Sequence, residues 1–200
     1  YNDKYKLFMK PQLQHMSFDQ IFKWLAAAAI LLCGVMIYSA SLQNGYIWDD
    51  DYYVYKNGLV QTLGGLKGIW FSHALPQYYP VVFTSFWIEH SFWGLNPFGY
   101  HAVNLCLHLL NAFLLFVIVR RLNPKAAFPV ALLFTVHPIQ VETVAWVTER
   151  KNLLSLFFFL LAFVSYMRYE SRPKWTNYAW ALVFFVLALL SKSVSVCFVV

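Results

Sequence analysis

Nineteen consecutive residues, Trp24–Leu42, carry no charge, and that one run decides most of what this chain can fold into. At about 1.5 Å of rise per residue a helix of that length nearly matches a bilayer's hydrocarbon core of ~30 Å. A cleavable signal peptide is the competing reading. The polar lead-in over residues 1–23 and the lack of an A-x-A site after the run weigh against it.

Composition extends the argument to the whole chain. Only 12% of its 200 residues are charged, whereas 60% are hydrophobic and 20% aromatic. Soluble domains carry about 25% charged residues, and Trp and Tyr favour the headgroup level of a membrane. Apolar runs place spans at about 24–42, 100–119, 126–141, 152–167 and 175–191, with a segment 1–23 before them and a long loop 43–99 after the first. The fold class expected is an all-α polytopic membrane protein with no nucleic-acid partner. "RRLNPK" and "RYESRPK" are short connections marked by Asn-Pro and Arg-Pro. Pro138 is expected to break the third run and leave His137 at its end.

Orientation follows from the basic residues. With residues 1–23 in the cytoplasm, ten of the fifteen Lys and Arg fall inside, among them Arg120, Arg121, Arg168 and Arg172. Lys56, Lys67, Arg150, Lys151 and Lys192 fall outside, as the positive-inside rule prefers. Within the outer loop, Leu59, Leu63, Leu66 and Trp70 recur at helical spacing and predict a short helix lying on the membrane surface. Cys33, Cys106 and Cys197 share no short spacing, so no disulfide or metal framework is expected. The chain is expected to be the N-terminal part of a larger protein, with further spans to follow.

Chemistry concentrates in two places. In "GYIWDDDYYVYKN", Asp49, Asp50 and Asp51 follow the first span directly. They read as a solvated loop or helix cap, or as a general base whose proton affinity is raised by aromatic neighbours. In "HPIQVETVAWVTERKN", the third run is short, so the connection is expected to dip to headgroup depth. Arg150, Lys151 and Lys192 then read either as snorkelling cations or as ligands for a lipid phosphate. His137 and Glu142, five apart, lack the H-E-x-x-H spacing of a metal site and read as substrate contacts. His101, Asn104, His108 and Asn111 form one stripe on the second span. The deeper two read as a polar seam between helices, while His101 is placed to face the site. Tyr78 and Tyr79 are suited to holding a sugar or to an interfacial aromatic belt.

These blocks, with "YYPVVFTSFW", "FWGLNPFGYHAVNLCLHLLNAFLLFVIVRRL" and "LALLSKS", resemble bacterial membrane proteins that carry tetratricopeptide repeats. Those are similar to the eukaryotic transmembrane and tetratricopeptide-repeat O-mannosyltransferases of the GT-C superfamily. The resemblance runs from Gly45 to Ser193 and implies a GT-C-like helix bundle. It implies Asp49 and Asp50 as the catalytic acids, with Asp51 a variable neighbour. It also implies a polyprenyl-phosphate-linked sugar as donor, a protein or glycan acceptor and a repeat domain beyond this chain. The site would face the periplasm from a bacterial inner membrane. No cofactor is fixed, and a divalent cation beside the Asp pair is left open.

The expected reaction is an inverting glycosyl transfer. Asp49 or Asp50 takes the acceptor's proton, and Arg150, Lys151, Lys192 and His137 hold the donor phosphate. Glu142, Tyr78, Tyr79 and His101 contact substrate. A non-catalytic scaffold whose repeats bind partners is the alternative, and a polyprenyl-phosphate carrier a third reading.

Overall fold

The computed structural model describes residues 18–193. Most of the segment 1–23 and Cys197 therefore lie outside the described residues. Helix α1, Phe18–Tyr38, runs into a 3-10 turn at Ser39–Gln43. The loop then folds into a π-helical turn, Asp51–Tyr55, and three helices: α2 (Gly58–Gln61), α3 (Gly65–Phe71) and α4 (Pro80–Trp93). The bundle resumes with α5 (Pro97–Leu122), α6 (Pro124–Val136), α7 (Gln140–Ala145), a 3-10 turn at Val147–Glu149, α8 (Arg150–Ser171) and α9 (Trp175–Ser191). Among the described residues there is no strand.

Three stretches are long and apolar enough to cross a membrane: Gln20–Gln43, Pro97–Leu122 and Val147–Ser171. With α6 and α9 as shorter apolar helices, this makes an all-α integral membrane protein. Helix α5 is its axis and packs against α1, α6 and α8, while α9 folds back along α8. Two helix starts use the same device. Asn96 accepts from the Phe98 amide ahead of α5, and Asn123 accepts from the Lys125 amide ahead of α6. Each is followed by a proline at the first helical position, where a missing N–H costs nothing.

The third apolar run ends where Pro138 was expected to break it, five residues short of the span 126–141. Its helix stops at Val136, because His137 turns extended ahead of Pro138. At 13 residues α6 spans about 20 Å, short of the hydrocarbon thickness. The break leaves the Thr135 carbonyl without its helical donor. Tyr38 Oη and His108 Nε2 both reach it, each at 3.1 Å. The polar stripe of α5 serves the same purpose further along. Asn104 donates to the carbonyls of Val144 and Trp146, and Asn111 donates to that of Leu153. The stripe is thus a seam that bonds backbone carbonyls at the ends of α6 and α7 and in the first turn of α8, a gain where lipid offers no partner.

The loop differs more. The surface helix expected near Leu59–Trp70 is two helices, α2 and α3, interrupted at Thr62–Gly64. The buried positions there are Val60 and Ile69, whereas Leu63 is 88% exposed. Gly65 allows the interruption, since a Cβ there would stand 1.8 Å from the Leu59 carbonyl oxygen. Short interfacial helices were expected in this loop, but α4 was not placed; only Tyr78 and Tyr79 just before it were read, as sugar contacts or an aromatic belt. Val82, Phe83 and Phe86 on α4 join Val54, Val60 and Ile69 in the largest core cluster, closed by Tyr100, Val147 and Leu153. The loop is therefore a packed cap on one end of the bundle, here called the loop end.

Candidate active site

Trp48 sets the geometry of the acids. It is the one described non-glycine residue in the left-handed region, at φ 46°, a conformation that costs of order 1 kcal/mol and is held only by its surroundings. Its ring meets Trp146 edge-on at 5.4 Å. After this reversal the next two residues part company. Asp49 is exposed and Asp50 is completely buried.

Asp50 is a clasp. One carboxylate oxygen accepts from the Thr148 amide at 2.8 Å and from the Thr148 hydroxyl, and the other accepts from the Ile47 amide at 3.0 Å. The first loop is thereby tied to the turn that starts α8. Burial pushes the Asp50 carboxyl above its ordinary value. The Thr148 hydroxyl, the amides of Ile47 and Thr148 and a charge on neighbouring His101 oppose that shift. Asp51 points elsewhere and pairs with Lys56 at 2.6 Å on the exposed surface.

The raised value carries a prediction. The folded protein holds a proton on Asp50 to higher pH than the unfolded chain, so this contribution is fully present below the ordinary carboxylate range. It is lost as pH rises through the folded value. The melting temperature of the wild type is expected to fall more steeply across that window than that of Asp50→Asn. Parallel profiles would remove the effect.

Arg150 is enclosed two residues beyond Thr148, with no exposure. Its guanidinium pairs with both carboxylate oxygens of Glu89 on α4 and lies 5.2 Å over the Phe86 ring. It also donates to the Asn104 side chain and to the Tyr100 carbonyl, the latter at 2.8 Å. One side chain thus joins α4, α5 and α8. Its donors are taken up internally, so in this conformation Arg150 presents no open face to a lipid phosphate, in contrast to the sequence-based expectation.

The other two cations do meet. Lys151 Nζ pairs with Glu149 at 2.9 Å, and the second oxygen of Glu149 accepts from Asn152. Asn152 in turn accepts from Lys192 at the end of α9. Lys151 Nζ also stands 5.7 Å from the ring centres of Tyr53 and Trp146. Tyr53 donates to the Gln77 side chain at 2.7 Å. Burial first, then Tyr79 and the negative charges of Asp49 and Glu149, push its hydroxyl up. Asp49 lies one turn before Tyr53, whose amide donates to the Asp49 carbonyl at 3.0 Å, and Lys151, paired with Glu149, stands over the Tyr53 ring.

The remaining candidates divide. His101 is buried beside Asp50, whereas Tyr78 is exposed and donates to the Trp70 carbonyl. His137 and Glu142 are exposed, and no described contact brings either to Asp50 or Tyr53; His137 Nδ1 accepts from the Ile139 amide instead. Among the described residues no group of three or more His, Cys, Asp or Glu is placed to hold a metal ion. Glu89, Thr148, Glu149, Asn152 and Gln77 were missed. Glu89 carried a usable signal, a lone acid within "PVVFTSFWIEHSFW", since an ionisable group in such surroundings needs a partner.

Known proteins add a second line of observation. Residues 76–200 match the family described as dolichyl-phosphate-mannose-protein mannosyltransferase. Protein O-mannosyl-transferase TMTC1 of Mus musculus is 35% identical over 159 residues, covering 72% of this chain and 17% of that protein. Its Homo sapiens counterpart is also 35% identical over 159 residues, 72% of this chain and 18% of that protein. Protein O-mannosyl-transferase Tmtc1 of Drosophila melanogaster is 28% identical over 173 residues, 80% and 20% respectively. The chain thus spans about a fifth of the length of these relatives. No solved structure matches it. With more than half its length matched, including α4, Arg150 and both loop-end lysines, the chain belongs to the dolichyl-phosphate-mannose-protein mannosyltransferase family.

Proposed function

We propose that this chain carries the acid-bearing part of a membrane glycosyltransferase, with the loop end as its active face. The donor is a sugar on a polyprenyl phosphate, mannose in keeping with the names of the relatives. The acceptor is a protein hydroxyl on the non-cytoplasmic side. The observation that carries this reading is the gathering of the open carboxylate of Asp49 and the lysine-bearing chain Lys151–Glu149–Asn152–Lys192 at the loop end around Tyr53.

The roles follow from what each group has free. Asp49 accepts the proton of the acceptor hydroxyl as that oxygen attacks the anomeric carbon. The bond from that carbon to the phosphate oxygen breaks, and its electron pair leaves with the polyprenyl phosphate. A phosphate is already a stable anion and needs positive charge more than a proton, which Lys151 and Lys192 supply. Attack opposite the leaving group inverts the anomeric centre. Asp50 and Arg150 act as positioning residues that lock the acid loop against α8. Gln77, bonded to Tyr53, and Tyr79 are the groups offered to the sugar, and His101, buried near Asp50, backs the acid loop. His137 and Glu142 gain no support from the geometry as substrate contacts.

The test is transfer by the full-length protein in sealed vesicles supplied with labelled mannosyl polyprenyl phosphate and a hydroxyl-bearing peptide. Labelled peptide of inverted anomeric configuration is the expected product. Equal labelling from a nucleotide sugar without the lipid would overturn the donor assignment, and a retained configuration would overturn the single displacement.

A further inference from the structure

Helices α5, α8 and α9 leave the loop end and run to the opposite end of the bundle. From Arg150 to Arg168 along α8 is about 27 Å of helix. There the chain forms a second concavity that the proposed chemistry does not use. It has a volume of about 430 Å3 and is lined by Arg121, Arg168, Ser171, Arg172, Lys174 and Asn177. Four of the six are cations and none is acidic. Glu170, nearby on α8, is exposed and outside the lining.

The basin is rigid. The Arg172 amide donates to the Arg168 carbonyl at 3.0 Å, the Lys174 amide to Arg172 at 2.8 Å and the Asn177 amide to Lys174 at 2.9 Å. This locks the α8–α9 turn, and Pro173 stiffens it further. Cations at helix C-termini are favourable singly, because they complement the helix dipole. Four converging on one cavity from three segments repel one another, although all four are exposed and water screens part of that repulsion. A bound anion removes it. Arginine suits phosphate in particular, through paired N–H donors.

A neighbouring feature says what the anion is attached to. Arg121 also borders an apolar groove between α1 and α5, with Lys23, Trp24, Phe113, Phe116 and Val117 along it. That groove continues past Ala27 and Phe113 into a second apolar hollow lined by Ile30, Leu31 and Leu109. Arg121 lines both the basin and the α1/α5 groove, so a phosphate in the basin has that apolar groove beside it. We infer that the basin of Arg121, Arg168, Arg172 and Lys174 binds the phosphate headgroup of an anionic phospholipid whose chain lies in the α1/α5 groove. This site is independent of the donor site and lies at the other end of the molecule.

The test uses the full-length protein in nanodiscs of phosphatidylcholine, with and without phosphatidylglycerol, read by native mass spectrometry and melting temperature. Retained phosphatidylglycerol and a higher melting temperature are expected, with neither from phosphatidylcholine alone. Each charge removed is expected to weaken retention roughly fivefold, so R121Q/R168Q/R172Q should lose about a hundredfold. Should the triple variant fail to insert, R172Q alone, at the exposed turn, carries the fivefold loss. Unchanged phosphatidylglycerol retention in these variants would overturn the site. Equal stabilisation by inorganic phosphate in neutral nanodiscs would overturn the lipid and leave a site for a soluble anion.

Discussion

Arg150→Met is expected to destabilise the protein by about 3–5 kcal/mol, the largest effect of any single substitution outside the helix cores. The wild-type guanidinium is fully enclosed, and Glu89 on the facing helix is nearly so. Removing the cation strands a buried carboxylate without its partner. It also strips a donor from the Asn104 side chain and from the Tyr100 carbonyl. Glu89→Leu is expected to do comparable damage for the mirror-image reason. The double variant Glu89→Leu/Arg150→Met should lose less than the sum of the two, because neither charge is then left alone. Thermal or denaturant unfolding of the four proteins in one detergent measures this. Strict additivity would mean that the pair does not act as a unit.

Asp49→Asn is expected to reduce turnover by a factor of about 10²–10⁴, the usual contribution of a general base. Its side chain is exposed, and no clasp depends on it, so the melting temperature should hardly move. Asp50→Asn differs in kind. It places an amide where two backbone N–H groups and a hydroxyl donate, so one of its own donors must face a donor. Its deficit should appear in stability as well as in turnover. Initial rates of the full-length variants, at donor concentrations bracketing KM, separate the two. Wild-type turnover in Asp49→Asn would remove this residue as the base, and equal melting curves for Asp50→Asn and wild type would remove the clasp.

The membrane character of the chain and its helical class were legible in the sequence, because each rests on a strong local signal. Charge-free runs mark helices that lipid permits, and Asn-Pro pairs mark helix starts. Side-chain commitments were not legible. Nothing in the spacing distinguishes Asp49 from Asp50, since their divergence comes from one left-handed residue before them. Nothing local separates Arg150 from Lys151 either, because the partner that claims Arg150 lies 61 residues away. Helix α4 escaped for a related reason. Its aromatic residues carry no helical period, having apolar neighbours on nearly every side, and packing in the cap decides its conformation.

The order in which the protein is made bears on the Glu89–Arg150 pair. Glu89 leaves the ribosome well before its partner, and α5, α6 and α7 must follow before the guanidinium arrives at the start of α8. Until then the acid-bearing segment rests on its packing against Phe83 and Tyr100, without the Asp50 tie to Thr148. Assembly of the reactive face is therefore a late event in biogenesis, completed only when α8 slots beside α5 and its first residue draws the cap shut.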